Sequence, residues 1–193
     1  MTPLRLGILG SGRGSNFLAI ADAIAAGTLP ATIVLVGSDN PHAPILESAR
    51  ARNLPTFACR PSRFKTKLEP EIESELAHAL QQAEANLIVL AGYMRVVKAP
   101  LLKAFPGRIV NIHPSLLPHF PGLRAWEQAL LAGATETGCT VHWVNETVDG
   151  GPILDQAKVP IVPGDTPESL HARIQEAEHQ IYPNVLARLA AQR

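Results

Sequence analysis

The chain has 193 residues, 46% of them hydrophobic, and its 17 Lys and Arg are balanced by 17 Asp and Glu. That length is enough for one domain, or a tight fusion of two halves, burying roughly 70% of its unfolded surface without staples. Zero formal charge argues against a nucleic-acid or polyanionic surface, and the two distant cysteines, Cys59 and Cys139, argue against a disulfide framework or structural zinc.

No apolar run approaches the roughly 18 residues of a membrane span, and glycines interrupt the N-terminus too early for a signal peptide. The expectation is a soluble, cytoplasmic protein. In chain order, Leu4 to Leu9 reads as a strand, Gly10 to Ser15 as a glycine loop, and Phe17, Ile20 and Ile24 as the apolar stripe of a helix ending at Gly27. Thr32 to Val36 is a β-branched strand followed by a loop at Gly37 to Pro41, and Ile45 to Arg52 a second helix. A longer helix carries Ile72, Leu76, Leu80 and Ala83 on one face, with Glu71, Glu73, Glu75 and Gln82 elsewhere. Leu87 to Ala91 is a strand of the near-continuous apolar kind buried on both faces of a parallel sheet.

Strands alternating with helices imply a doubly wound, mostly parallel α/β sheet. After Arg108 the texture changes. Ile109 to Ile112 is a strand running into a proline-rich loop, His113 to Gly122, and Ala125 to Ala132 is helical. Thr140 to Val144 alternates as a half-exposed strand, Val148 to Pro152 is a turn, and Ile153 to Ile161 is a further strand, suited to antiparallel pairing. Thr166-Pro167 opens a last helix carrying Leu170, Ile174, Ala177 and Ile181. The C-terminal part therefore reads as an antiparallel extension of the sheet.

Glycines between a first strand and a first helix let the backbone approach an anion, which the helix N-terminus attracts. Here the spacing is Gly10-x-Gly12-x-Gly14, with Ser15 where a dinucleotide fingerprint has its third glycine, and no P-loop lysine follows. A phosphate monoester, a dinucleotide with Asp39 on its ribose, and a purely structural turn all remain open readings at this point.

Asn111 and His113 stand two apart at the carboxyl end of a strand, so they project to one side, where open α/β sheets place ligands. Asp149, in a Val-Asp-Gly-Gly turn, is placed to present a carboxylate, which beside a histidine favours the protonated ring. Together they suggest a site that handles an oxyanion and a proton. His42, His78 and His171 read as surface residues and His142 as a partly buried strand residue. No metal is expected, since no ligand spacing is present.

Gly12-Arg13-Gly14-Ser15-Asn16, Ala91-Gly92-Tyr93-Met94-Arg95, Asn111-Ile112-His113-Pro114-Ser115-Leu116-Leu117-Pro118 and Gly138 to Val144 resemble the phosphoribosylglycinamide formyltransferases of the folate-dependent formyltransferase family, and the likeness runs on to Glu178-His179-Gln180-Ile181-Tyr182-Pro183. The resemblance implies a Rossmann-like formyltransferase fold over residues 1–193, with a phosphate-binding half at 1–100 and a folate-binding, catalytic half at 101–193. It implies an enzyme of purine biosynthesis that formylates glycinamide ribonucleotide from 10-formyltetrahydrofolate without a metal, with small-molecule partners alone, as a monomer or homodimer. Asn111, His113 and Asp149 would be catalytic. Gly14, Ser15, Asn16 and Glu178 would bind the ribonucleotide, and Lys67, Met94, Arg95, Val96, Val97 and Asn111 the folate. Relatives that act on methionyl-tRNA or hydrolyse formyltetrahydrofolate carry extra domains for which 193 residues are expected to leave no room. Two departures stand out: Lys67 occupies a position where the family often has Arg, and a lysine is a point charge rather than a fork; Arg124 stands where some members have His.

Overall fold

The computed structural model describes residues 3–192. Seven strands form one sheet: β1 (Leu4–Leu9), β2 (Ala31–Ser38), β3 (Thr56–Ala58), β4 (Leu87–Leu90), β5 (Ile109–His113), β6 (Glu136–Trp143) and β7 (Ile153–Pro160). Their order is β3-β2-β1-β4-β5-β6-β7, parallel through β5 and antiparallel from β5 to β7. Six helices accompany them: α1 (Ser15–Ala25), α2 (Pro44–Ala51), α3 (Pro70–Gln82), α4 (Ala99–Ala104), α5 (Ala125–Leu131) and α6 (Pro167–Ala191).

The apolar runs in β1 and β4 follow from burial on both faces. Leu6 and Ile8 of β1 and Leu87 and Val89 of β4 pack with Phe17 and Ile20 of α1, Ile45 of α2, and Ile174 and Tyr182 of α6. The alternate residues, Leu9, Ile88 and Leu90, pack on the other face with Ile72, Leu76 and Leu80 of α3 and Leu101 of α4. A two-residue period thus feeds two cores from one strand. At the start of α6, Thr166 and Ser169 exchange side-chain and backbone hydrogen bonds, and Pro167 occupies the first turn, where its missing N–H costs nothing.

Several elements differ from expectation. β3 spans three residues and α4 six, too short to leave a periodicity in the sequence. β6 is longer than anticipated and, from Thr137 to His142, wholly buried rather than alternating, because β5 and β7 flank it and α6 packs across it. Glu73, expected on the polar face of α3, is buried: its Oε1 accepts the Lys98 N–H at 2.8 Å where α4 begins, and desolvation raises its pKa above the usual carboxyl value.

Strand order reverses between β1 and β4, since the chain leaves β1 toward β2 and leaves β4 toward β5. A crevice opens at the carboxyl ends of strands where such a reversal occurs. Tyr182 braces this region from beneath. Fully buried in α6, its hydroxyl lies 3.0 Å from the Leu90 carbonyl of β4 and 3.1 Å from the Val110 carbonyl of β5. Tyr182→Phe removes that shared hydrogen bond without opening a large cavity and should cost about 1–2 kcal/mol. Urea unfolding should show a lower midpoint with an unchanged slope.

Candidate active site

The glycine loop crosses the crevice directly after β1. Gly14 has φ 75°, and a Cβ there would lie 2.6 Å from Ile45 Cγ1, so both conformation and space demand glycine. The Gly10 and Ser11 amides bond to the carbonyls of Gly37 and Gly92 at 3.1 and 3.0 Å, and the Gly12 carbonyl accepts the Ile45 N–H at 3.0 Å, which fastens the loop to three neighbours. No side chain caps α1, and its first turn carries no acid. The helix end beside Gly14 and Ser15 is therefore electropositive and able to take an anion. Asn16 is turned inward instead: its amide donates to Glu178 Oε2 of α6 at 2.8 Å, and its Oδ1 has no hydrogen-bond partner in the structure.

Asn111 and His113 leave β5 on one side, with Ile112 pointing to the core between them. The Val148–Gly151 turn brings Asp149 to them. Asp149 has φ 53°, and Gly151 passes so close to Trp143 that a Cβ would sit 1.7 Å from its carbonyl oxygen. The Gly122 N–H donates to Asp149 Oδ2 at 2.8 Å, tying the turn to the proline-rich loop. His113 Nδ1 lies 3.5 Å from that same oxygen, and its Nε2–H donates to the Phe120 carbonyl at 2.9 Å. Nε2 is therefore engaged by the protein. Nδ1, at a separation long for a charge-assisted bond, is the ring position left for a ligand atom.

His142 belongs to this cluster, contrary to its reading as a bystander. The β5–β6 register sets it opposite Asn111. Its Nδ1–H donates to the Trp143 carbonyl at 2.9 Å, which leaves Nε2 to accept the Asn111 amide at 3.2 Å, and Asp149 Oδ1 lies 3.8 Å away. Burial pushes this imidazole down from its ordinary value, in keeping with a neutral ring that accepts from Asn111. No spacing in the sequence could identify it, because its place depends on strand pairing. His171, expected at the surface, is half-buried and stacks on Trp126, with ring centroids 3.8 Å apart and planes 8° from parallel.

A cleft of about 290 Å³ runs from this cluster to the loop after β4. Met94, Arg95, Val96 and Val97 form one wall, Asn111, His113 and His142 the floor, and Thr147, Val148 and Asp149 the facing rim; Arg124 and Trp126 are also among the lining residues. Lys67 is not part of that lining. It sits on the exposed segment before α3, with Nζ 4.9 Å from the Phe64 ring centroid. Burial pushes the Cys59 and Cys139 thiols up to about 12, so neither is a thiolate nucleophile near neutral pH. Among the described residues no group of three or more His, Cys, Asp or Glu could hold a metal ion, and no helix is long and apolar enough to cross a membrane.

Glu178 is buried beside Asn16. Burial raises its pKa to about 7, partly countered by the Asn16 hydrogen bond. The folded chain then keeps a proton that the unfolded chain has released, so stability falls as pH rises from 4.5 to about 7, and the penalty is complete above that. Glu178→Gln should be more stable than the parent at pH 8 by up to about 3 kcal/mol, with the gap closing toward pH 4.5. Urea unfolding at both pH values checks this; a pH-independent difference would contradict it.

Residues 4–186 match the family model for formyl transferases. The chain is 41% identical over 185 residues to the phosphoribosylglycinamide formyltransferase of Bacillus subtilis, covering 96% of this chain and 94% of that one. It is 46% identical over 189 residues to the trifunctional purine biosynthetic protein adenosine-3 of Drosophila pseudoobscura pseudoobscura, of which it spans only 14%. The crystal structure of glycinamide ribonucleotide transformylase 1 from Symbiobacterium toebii superposes with a TM-score of 0.94 at 45% identity, covering 99% of this chain and 89% of that one. The same seven-stranded architecture, the glycine loop and the Asn-x-His strand end thus occur in a chain that belongs to the formyl transferase family.

Proposed function

We propose that the chain transfers the formyl group of 10-formyltetrahydrofolate to the amine of glycinamide ribonucleotide, giving formylglycinamide ribonucleotide and tetrahydrofolate in purine biosynthesis. The observation that carries this reading is the convergence of Asn111, His113 and Asp149 in one cleft, at the same end of the sheet as an uncapped helix N-terminus suited to a phosphate. Relatives that match nearly end to end bear the corresponding name.

The substrate phosphate lies at Gly14 and Ser15, and the glycinamide extends toward Glu178 and Asn16. With its pKa near 7, Glu178 takes a proton from the substrate ammonium near neutral pH and frees the amine to attack. The pterin ring of the folate occupies the cleft between Met94–Val97 and the Thr147–Asp149 rim, while Lys67, on the exposed segment outside it, meets the carboxylates of the glutamate tail. Attack on the formyl carbon produces a tetrahedral oxyanion. The Asn111 amide, steadied by His142, and the His113 Nδ1–H donate to it, and preorganised donors of this kind are worth about 3–4 kcal/mol each. As the intermediate collapses, the proton shed by the attacking nitrogen passes by way of His113 and Asp149 to the departing folate nitrogen. No covalent enzyme intermediate is needed.

In this reading residues 1–100 hold the ribonucleotide phosphate and residues 101–193 carry the catalytic groups, within one formyltransferase domain. Two buried, unpaired thiols fit a reducing, cytoplasmic setting. The dinucleotide reading loses its key residue, because both carboxylate oxygens of Asp39 are bonded within the protein, to Ser11 and Arg95. That leaves no free acid for a ribose diol.

Incubation with glycinamide ribonucleotide and 10-formyltetrahydrofolate, following the deformylated folate, tests the activity directly. His113→Ala and Asp149→Asn should each lower turnover about 100-fold or more while the ribonucleotide still binds. Near-parental turnover in both variants would remove this trio from the mechanism.

A further inference from the structure

Asp39 directly follows β2, where a dinucleotide-binding sheet keeps its ribose acid, yet it faces inward and is only 7% exposed. Its Oδ1 accepts the Ser11 hydroxyl at 2.5 Å, and its Oδ2 accepts the Arg95 Nε–H at 2.6 Å. Each partner reaches further. The Ser11 oxygen accepts the Met94 N–H at 2.8 Å, and the Arg95 Nη1–H donates to the Phe64 carbonyl at 2.5 Å. One carboxylate thereby joins three segments: the glycine loop after β1, the loop after β4, and the chain between β3 and α3.

We infer that Asp39 is a positioning residue for the folate side of the site, holding the Met94–Val97 wall in register with the glycine loop and fixing the width of the cleft. The inference rests on the proposed function, in which that wall contacts the pterin. Asp39 itself is not among the cleft-lining residues and acts through Arg95 and Met94. The Ser11 N–H also holds the Gly92 carbonyl at 3.0 Å just before this wall, but within the wall the Met94 N–H bonds to the Ser11 hydroxyl that Asp39 orients, and the Val96 N–H leads to the Thr66 carbonyl of the β3–α3 chain at 2.8 Å. The Arg95 side chain is only 16% exposed, so removing the acid leaves its charge poorly answered. A shift of Arg95 to answer that charge moves the wall with it. Asp39 and Phe64 thus engage the Nε and Nη1 of Arg95, which fixes the guanidinium at the cleft wall while its Nη2 stays available to a ligand.

The test is equilibrium binding of tetrahydrofolate to the full chain, read by titration calorimetry alongside steady-state kinetics. Asp39→Ala should weaken tetrahydrofolate binding and raise KM for 10-formyltetrahydrofolate by about tenfold or more, with kcat within about threefold of the parent, the scale on which small misplacements act. Asp39→Asn keeps the shape and one acceptor for Arg95, and should recover most of the affinity. Parental affinity in both variants overturns the inference. So does an equal loss in both accompanied by a lost near-ultraviolet circular dichroism signal, which marks a purely structural role. Failure of the unaltered chain to bind tetrahydrofolate would instead sink the proposed function itself.

Discussion

The reversal of strand order between β1 and β4 is the constraint on which the rest of the molecule depends. Two neighbouring parallel strands end side by side, and their chains must depart in opposite directions, so no crossover helix covers the gap. The glycine loop and the Met94–Val97 wall are the two sides of that gap. The groups proposed to bind substrate sit on those sides and on the adjacent end of β5, joined by the Thr147–Asp149 turn, Glu178 of α6 and the Lys67 segment. The fold makes the crevice unavoidable; the side chains decide its chemistry.

Lining a crevice with charge is expensive unless each charge is answered. Asp39 has Ser11 and Arg95, and Asp149 has the Gly122 amide and His113. Glu178 has one Asn16 hydrogen bond and too little else, so it holds its proton to about pH 7. Under the proposed function, the degree of pairing sorts these three acids into different roles. A well-paired acid is a brace, an acid shared with imidazoles is a proton partner, and a poorly paired acid exchanges its proton near neutrality. The same logic accounts for binding anions on a chain with 17 positive and 17 negative residues. An uncapped helix end and loop amides act locally, without any excess of cations.

Much of the sheet was legible in the residue pattern, because strands buried on both faces must be continuously apolar and helices must show a 3.6-residue stripe. Leu4–Leu9, Leu87–Leu90 and the stripe of α3 carried that information directly. β3 and α4 did not, since three and six residues span too little of any period. β6 was misjudged as half-exposed for a related reason: its burial comes from α6 and two flanking strands, which leave no mark within its own sequence. Glu73 followed the same rule, a polar residue at an apparently outer position that is buried by the arrival of α4.

For the site, local sequence determined what could be argued from adjacency: a glycine loop before a helix, Asn111 and His113 projecting together from a strand end, and a turn able to present Asp149. The motif order also pointed to the formyl transferase family. Tertiary structure alone decided which of these groups meet. It placed His142 against Asn111 through strand register, committed Arg95 and Asp39 to each other, set Lys67 outside the cleft and drew Glu178 onto Asn16 from 162 residues away. The physical reason is range. Conformational preference and side-chain direction are set within a turn or a strand pair, whereas desolvation and hydrogen-bond partnership are properties of a packed neighbourhood that only the folded chain creates.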